Sequence, residues 1–227
     1  MNKISLPNSL SSAAKTMADK ATYFFIFYFL CFGFSLLSRF RIEHLAGRFI
    51  TTIVLASGFI FLSGGIYGSL TDAVKRKTNK ISTLLAYGRK FFFSYLVYTL
   101  FLGLIFISIM LVLKFFNKHL FTSHLDIRKL TILSSTIISI LNIYALPALF
   151  YYNTSVGDAF LKGLFFLRKE IQFTLVLIPI IIVGIVINMF SIPPSVKNLI
   201  FTFSHLYVFV VAVNVLEKEI NTTQKTN

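Results

Sequence analysis

The chain has 227 residues, 56% hydrophobic and only 13% charged, with a mean hydropathy of +0.79 and 22 basic against 8 acidic side chains, a net charge of +14. A soluble domain carries roughly 25% charged residues, and a fold of this size could not hide so much apolar surface, so the composition excludes an ordinary globular protein. The single cysteine, Cys31, excludes an intramolecular disulfide framework.

A bilayer core about 30 Å thick takes ~20 apolar residues per helix. Six stretches meet or approach that length, at residues 22–37, 49–70, 91–113, 130–152, 171–190 and 199–216, and none contains Asp, Glu, Lys or Arg. A charge at the centre of a span costs roughly 2.5–3.5 kcal/mol on insertion scales. The predicted fold is therefore all-α. It is a polytopic integral membrane protein of six transmembrane helices with two interfacial amphipathic helices, forming one membrane domain over residues 1–227.

In chain order, 22–37 is short and aromatic. Lys15 and Lys20 before it give the outline of a signal peptide, but no A-x-A-like site follows, so it is read as a retained span. The span 49–70 ends in Gly64-x-x-x-Gly68, a helix-packing face. Residues 80–90 place Ile81, Leu84, Leu85 and Tyr87 at helical spacing with lysines at the edges, which predicts a helix lying in the interface. The span 130–152 carries Ser134, Ser135, Thr136, Ser139 and Asn142, then Pro147, which removes a backbone donor and predicts a kink. Residues 155–169 predict the second interfacial helix, opened by a Ser155–Asp158 capping box. Pro179 and Gly184 bend the fifth span in the same way, and the sixth contains His205.

Both interfacial segments run into a span through an Arg-Lys pair, Arg89-Lys90 and Arg168-Lys169, so the two units are either a parallel repeat or two independent juxtamembrane helices. Gly64-Gly65-Ile66-Tyr67-Gly68, the basic segment ending Gly88-Arg89-Lys90-Phe91, then Leu146-Pro147-Ala148-Leu149-Phe150, Asp158-Ala159-Phe160 and Phe166-Leu167-Arg168-Lys169 follow in that order. This order resembles the six-helix prokaryotic membrane proteins related to the membrane domain of glycerophosphoryl diester phosphodiesterases, over about residues 50–215. The resemblance implies a polytopic bundle of largely unknown role. It does not imply phosphodiesterase activity, because the longest pieces outside the spans, 1–21, 71–90 and 153–170, are too short for a catalytic domain, which needs at least about 50 residues.

Lys and Arg number 14 on the side of both termini and 8 on the other, which predicts cytoplasmic termini in the plasma membrane, although Arg39, Arg41 and Arg48 oppose it. The basic charge lies beside spans and meets anionic lipid, with no nucleic-acid partner expected. Arg89, Lys90, Arg168 and Lys169 are the candidate lipid contacts. His119 and His124 stand i, i+5 near Asp126 and read as a solvated loop, so no metal or other cofactor is expected. Asn142 and His205 form a candidate polar intramembrane site, since an ionisable group within a span is a functional hypothesis by default; the alternative for His205 is a neutral imidazole hydrogen-bonded to a Ser, Thr or Tyr of a neighbouring helix. The leading expectation is a non-catalytic scaffold, assembly or accessory component, partnered by another membrane protein or its own copies. The alternative is a small permease or transporter subunit. Asn142 and His205 facing one cavity favours transport, and both packed dry between helices favours scaffolding.

Overall fold

The computed structural model describes residues 6–37, 45–75, 82–120, 126–187 and 190–226. These form α1 (Leu6–Asp19), α2 (Ala21–Leu37), α3 (Leu45–Val74), α4 (Ser82–Leu120), α5 (Ile127–Tyr152), α6 (Val156–Lys169), α7 (Ile171–Val186) and α8 (Pro194–Thr226), with no strand among the described residues. The protein is an all-helical membrane protein. Four helices, α3, α4, α5 and α8, are long and apolar enough to cross a bilayer. The pair α6 and α7, which meet at 105°, makes a fifth candidate if it is one broken span, and α2 is a shorter apolar helix.

The helices start and stop for local reasons. Ser155 caps α6: its hydroxyl accepts from the Asp158 backbone N–H at 3.2 Å and donates to the Asp158 carboxylate at 2.8 Å. Asn153, in the left-handed region at φ 50°, ends α5 and turns the chain so that α6 returns along it. Lipid tails are as apolar as leucine, so helices in a bilayer associate by close packing and hydrogen bonds. The contacts follow that rule. A Cβ on Gly163 would sit 2.7 Å from the backbone of Ala145, and a Cβ on Gly65 would sit 2.4 Å from the Leu84 carbonyl oxygen. These two glycines set the α5–α6 and α3–α4 approaches.

Burial is concentrated at the end of the bundle that carries α6. Residues 63–71 of α3, 143–151 of α5 and 208–216 of α8 are buried without interruption. At the other end α4 exposes Leu100, Leu104, Ile107, Leu111 and Phe115. The centre of the bundle is α8, where 67% of the most apolar stretch is buried, against 6% in peripheral α4. Polar contacts tie the packed end. Lys75 donates to the Tyr151 carbonyl at 2.9 Å and lies over the Tyr151 ring, the Tyr151 hydroxyl donates to Glu217, and Lys169 pairs with Glu219. Glu170 stands at the elbow between α6 and α7. Burial pushes its carboxyl above the usual range, the Glu219 carboxylate adds to this, and the Lys169 ammonium opposes it.

Outside the six expected spans, α1 packs along α8 through buried Ser9, Ala13 and Met17, and Lys218 donates to Ser9 at 2.8 Å. Two expectations change. The segment expected as a separate interfacial helix at 80–90 is, from Ser82 on, the first turns of α4, which continues unbroken into the apolar run; residues 80 and 81 lie outside the described residues. Leu84 and Tyr87 lodge against Gly65 and Gly68, Gly88 is itself packed tightly on Phe61, and no proline stands between Ser82 and Phe91, so nothing turns the chain there. Of the expected Gly64-x-x-x-Gly68 face, Gly68 is tight against Tyr87, whereas Gly64 has only ordinary contact with Phe91; the second tight position is Gly65.

Gly163→Ala is expected to lower the unfolding temperature in detergent, by the ~1–3 kcal/mol that overpacking costs. Gly103→Ala, with nothing within 4 Å of its Cβ position, serves as the neutral control. A raised folded-state value means that the fold disfavours the Glu170 carboxylate. The cost is absent below about pH 4, the ordinary glutamate range, and grows as pH rises through the raised value. Glu170→Gln is therefore expected to raise the unfolding temperature at pH 7 and leave it unchanged at pH 4.

Candidate functional site

Between α5, α7 and α8 lies a half-enclosed cleft. Its polar side chains are Ser139 and Asn142 from α5 and Ser204 and His205 from α8, and its walls include Pro147, Ile181 and Phe209. The helices open here for identifiable reasons. Pro147 lies inside α5 and gives the Ile143 carbonyl no N–H partner, and Pro179 does the same to α7. Gly184 has no side chain, and a Cβ there would stand 3.2 Å from the Ser204 Cβ, so α7 and α8 close along one edge of the cleft. Across that edge is a separate apolar groove, lined by Phe24, Pro179, Val183 and Phe203 among others; Ser204 borders both spaces.

The two central polar residues are held from behind by tyrosines of the α3–α4 hairpin. His205 Nε2 is 2.7 Å from the Tyr67 hydroxyl, and the Tyr98 hydroxyl donates to Asn142 Oδ1. The Tyr67 and Tyr95 rings meet edge to face, with centroids 5.7 Å apart. The imidazole is stacked on Phe201, with centroids 5.7 Å apart and planes 7° apart, and on Phe27 at 6.4 Å and 11°. With Tyr67 at its edge, the ring is fixed in plane and direction.

The structure thus brings Asn142 and His205, 63 positions apart in sequence, onto one cleft. It does not bring the four expected lipid contacts to one place of equal character. Arg89, Lys90 and Arg168 are exposed, Lys90 lies 5.0 Å from the Phe91 ring centroid, and Lys169 is committed to Glu219. His119 and His124 lie outside the described side chains. Among the described residues no three His, Cys, Asp or Glu side chains converge, and no hydrogen bond joins His205 to Ser139 or Ser204. Sequence reasoning missed Tyr67 and Tyr98. The signal was available: a phenol hydroxyl inside an apolar span needs a partner there, and Asn142 and His205 were candidates for that role.

Comparison with protein-family models, with curated proteins and with solved structures gives no match.

Tyr67→Phe keeps the ring packing and leaves His205 Nε2 without its partner. It is expected to destabilise the detergent-solubilised protein by about 1 kcal/mol, at the low end for an orphaned buried group. Tyr67→Ala also empties the aromatic cluster and is expected to cost ~3–5 kcal/mol. Thermal unfolding of the three proteins checks both the order and the gap.

Proposed function

We propose that this chain is a six-span, non-catalytic membrane protein that admits a small solute into the α5–α7–α8 cleft, as a small permease or transporter subunit does. The observation that carries this reading is that Asn142 and His205, from different helices, line one cleft together with Ser139 and Ser204. The six spans are α3, α4, α5 and α8, with α7 approached through the crosswise α6, and short α2. The 14 to 8 basic asymmetry supports placing the packed α6 end and both termini at the cytoplasmic face of the plasma membrane.

On this topology α6 lies in the interface. It exposes Leu161, Leu164 and Phe165 beside Arg168, which suits acyl chains and anionic headgroups together. Arg89, Lys90 and Arg168 are then the lipid-facing cations, at ~1 kcal/mol each near an anionic surface. The likeness to the six-helix prokaryotic membrane proteins is part of the same proposal. Its support is that the quoted segment Gly64–Gly68 packs against the quoted segment ending Gly88–Phe91.

The second reading, a scaffold or accessory component working with a membrane-protein partner or further copies of itself, is favoured by the tightly packed α6 end and the apolar face that α4 leaves exposed. One experiment separates the two. In a Cys31→Ala background, Ile185→Cys on the cleft wall is expected to react with a membrane-impermeant maleimide, and buried Leu149→Cys to stay unlabelled. A cleft that is dry in the membrane leaves both unlabelled and returns the reading to scaffolding.

A further inference from the structure

We infer that the α5–α7–α8 cleft takes an uncharged ligand with an apolar body and a carboxamide or hydroxyl end; this rests on reading the cleft as a solute site. The lining contains no Asp, Glu, Lys or Arg. A charged ligand entering it loses hydration without meeting a countercharge, and that penalty is several kcal/mol per ion. An uncharged polar group loses far less, and hydrogen bonds to the lining replace its water.

The residues behind the cleft decide which bonds remain on offer. Asn142 Oδ1 already accepts from Tyr98, so the amide NH₂ is the part left for a ligand, and it donates. His205 Nε2 is engaged by Tyr67, so the ring atom left is Nδ1. Where Nε2–H donates to the Tyr67 hydroxyl, Nδ1 is an acceptor, and where the hydroxyl donates to Nε2, Nδ1–H is a donor. The cleft therefore offers a donor on α5 and a ring nitrogen of either role on α8, with Ser139 and Ser204 able to do either. A carboxamide answers with its carbonyl oxygen and its N–H, and a hydroxyl answers with a single oxygen. The surrounding walls, Ile143, Leu146, Ile181, Val208 and Phe209, are apolar and suit a hydrocarbon or aromatic body.

Three probes of nearly equal shape test the charge class: benzamide, benzoate and benzylammonium at pH 7. The full chain, Cys31→Ala with Ile185→Cys, is purified in mild detergent and its maleimide labelling rate is measured with each probe. Benzamide is expected to slow labelling about tenfold more than either ion does, the ratio set by unpaid desolvation of a charge. Asn142→Leu and His205→Phe, the latter keeping the stack on Phe27 and Phe201, are expected to remove that preference. Should either variant fail to fold, the comparison of the three probes on the parent chain still decides. Equal or stronger protection by benzoate or benzylammonium overturns the inference and leaves the solute site standing. Free labelling that none of the three slows also overturns it. Absence of labelling without any probe overturns the solute site itself.

Discussion

The 2.7 Å contact between the Tyr67 hydroxyl and His205 Nε2 joins α3 to α8 at the inner edge of the cleft. Around it the Tyr67 ring meets Phe27 of α2, Tyr95 of α4, Phe150 of α5 and Phe209 of α8, with centroids 4.7–5.8 Å apart. One side chain therefore touches every other helix of the central bundle except α7. In a bilayer no hydrophobic force draws these helices together, because leaving them apart would expose apolar surface only to lipid. Edge and tilted aromatic contacts, at about 0.5–1.5 kcal/mol each, together with a few buried hydrogen bonds, are the forces left to set the arrangement. Tyr67 is fully buried and supplies four of these ring contacts and the hydrogen bond to His205.

The two ends of the bundle differ because their sequences differ in what they can pack. Toward α6, small residues and rings alternate, so that Gly65, Gly68, Gly88 and Gly163 receive Leu84, Tyr87, Phe61 and the backbone of Ala145. Toward the other end, α4 offers Leu100, Leu104, Ile107 and Leu111, bulky side chains with no matching small residue opposite, and these face outward. The cleft lies where one regime gives way to the other. Pro147 interrupts α5 and Gly184 thins α7 at that level, so the helices neither seal completely nor separate.

Much of this was legible in the sequence. Apolar runs without charge located α3, α4, α5 and α8, because the cost of a central charge leaves that pattern little freedom. The Ser155–Asp158 cap located the start of α6, since a hydroxyl followed three residues later by a carboxylate satisfies local donors. Asn142 and His205 stood out as polar groups where lipid offers no partner. The N-terminal helix α1 was hidden because its buried stripe, Ser9–Ala13–Met17, has a serine and an alanine where a leucine pattern was sought. Small residues give close approach to α8 without a hydropathy signal. The unbroken run of α4 through Arg89 and Lys90 was hidden for the opposite reason. Its charges suggest a boundary, but tight packing on Gly65 and Gly68 keeps the helix straight, a tertiary effect that local spacing cannot register.

The arrangement of hydrogen bonds bears on why polar residues stand in the interior at all. If the network only held helices together, each polar group would be best placed with all its bonds made inside the protein, since an unpaired group in a dry interior costs about 1–3 kcal/mol. The Tyr67 and Tyr98 hydroxyls meet that condition, bonded to His205 and Asn142. Asn142 and His205 do not: each has one side engaged by a tyrosine and the other on the cleft. The division is systematic, because both tyrosines belong to the α3–α4 hairpin and both half-satisfied residues belong to helices that line the cleft. A hairpin that orients two side chains toward a common space, while α7 supplies the facing wall, is the organisation of a binding site with its support. The remaining bonds fall to water or to a ligand, which is what the proposed solute site requires.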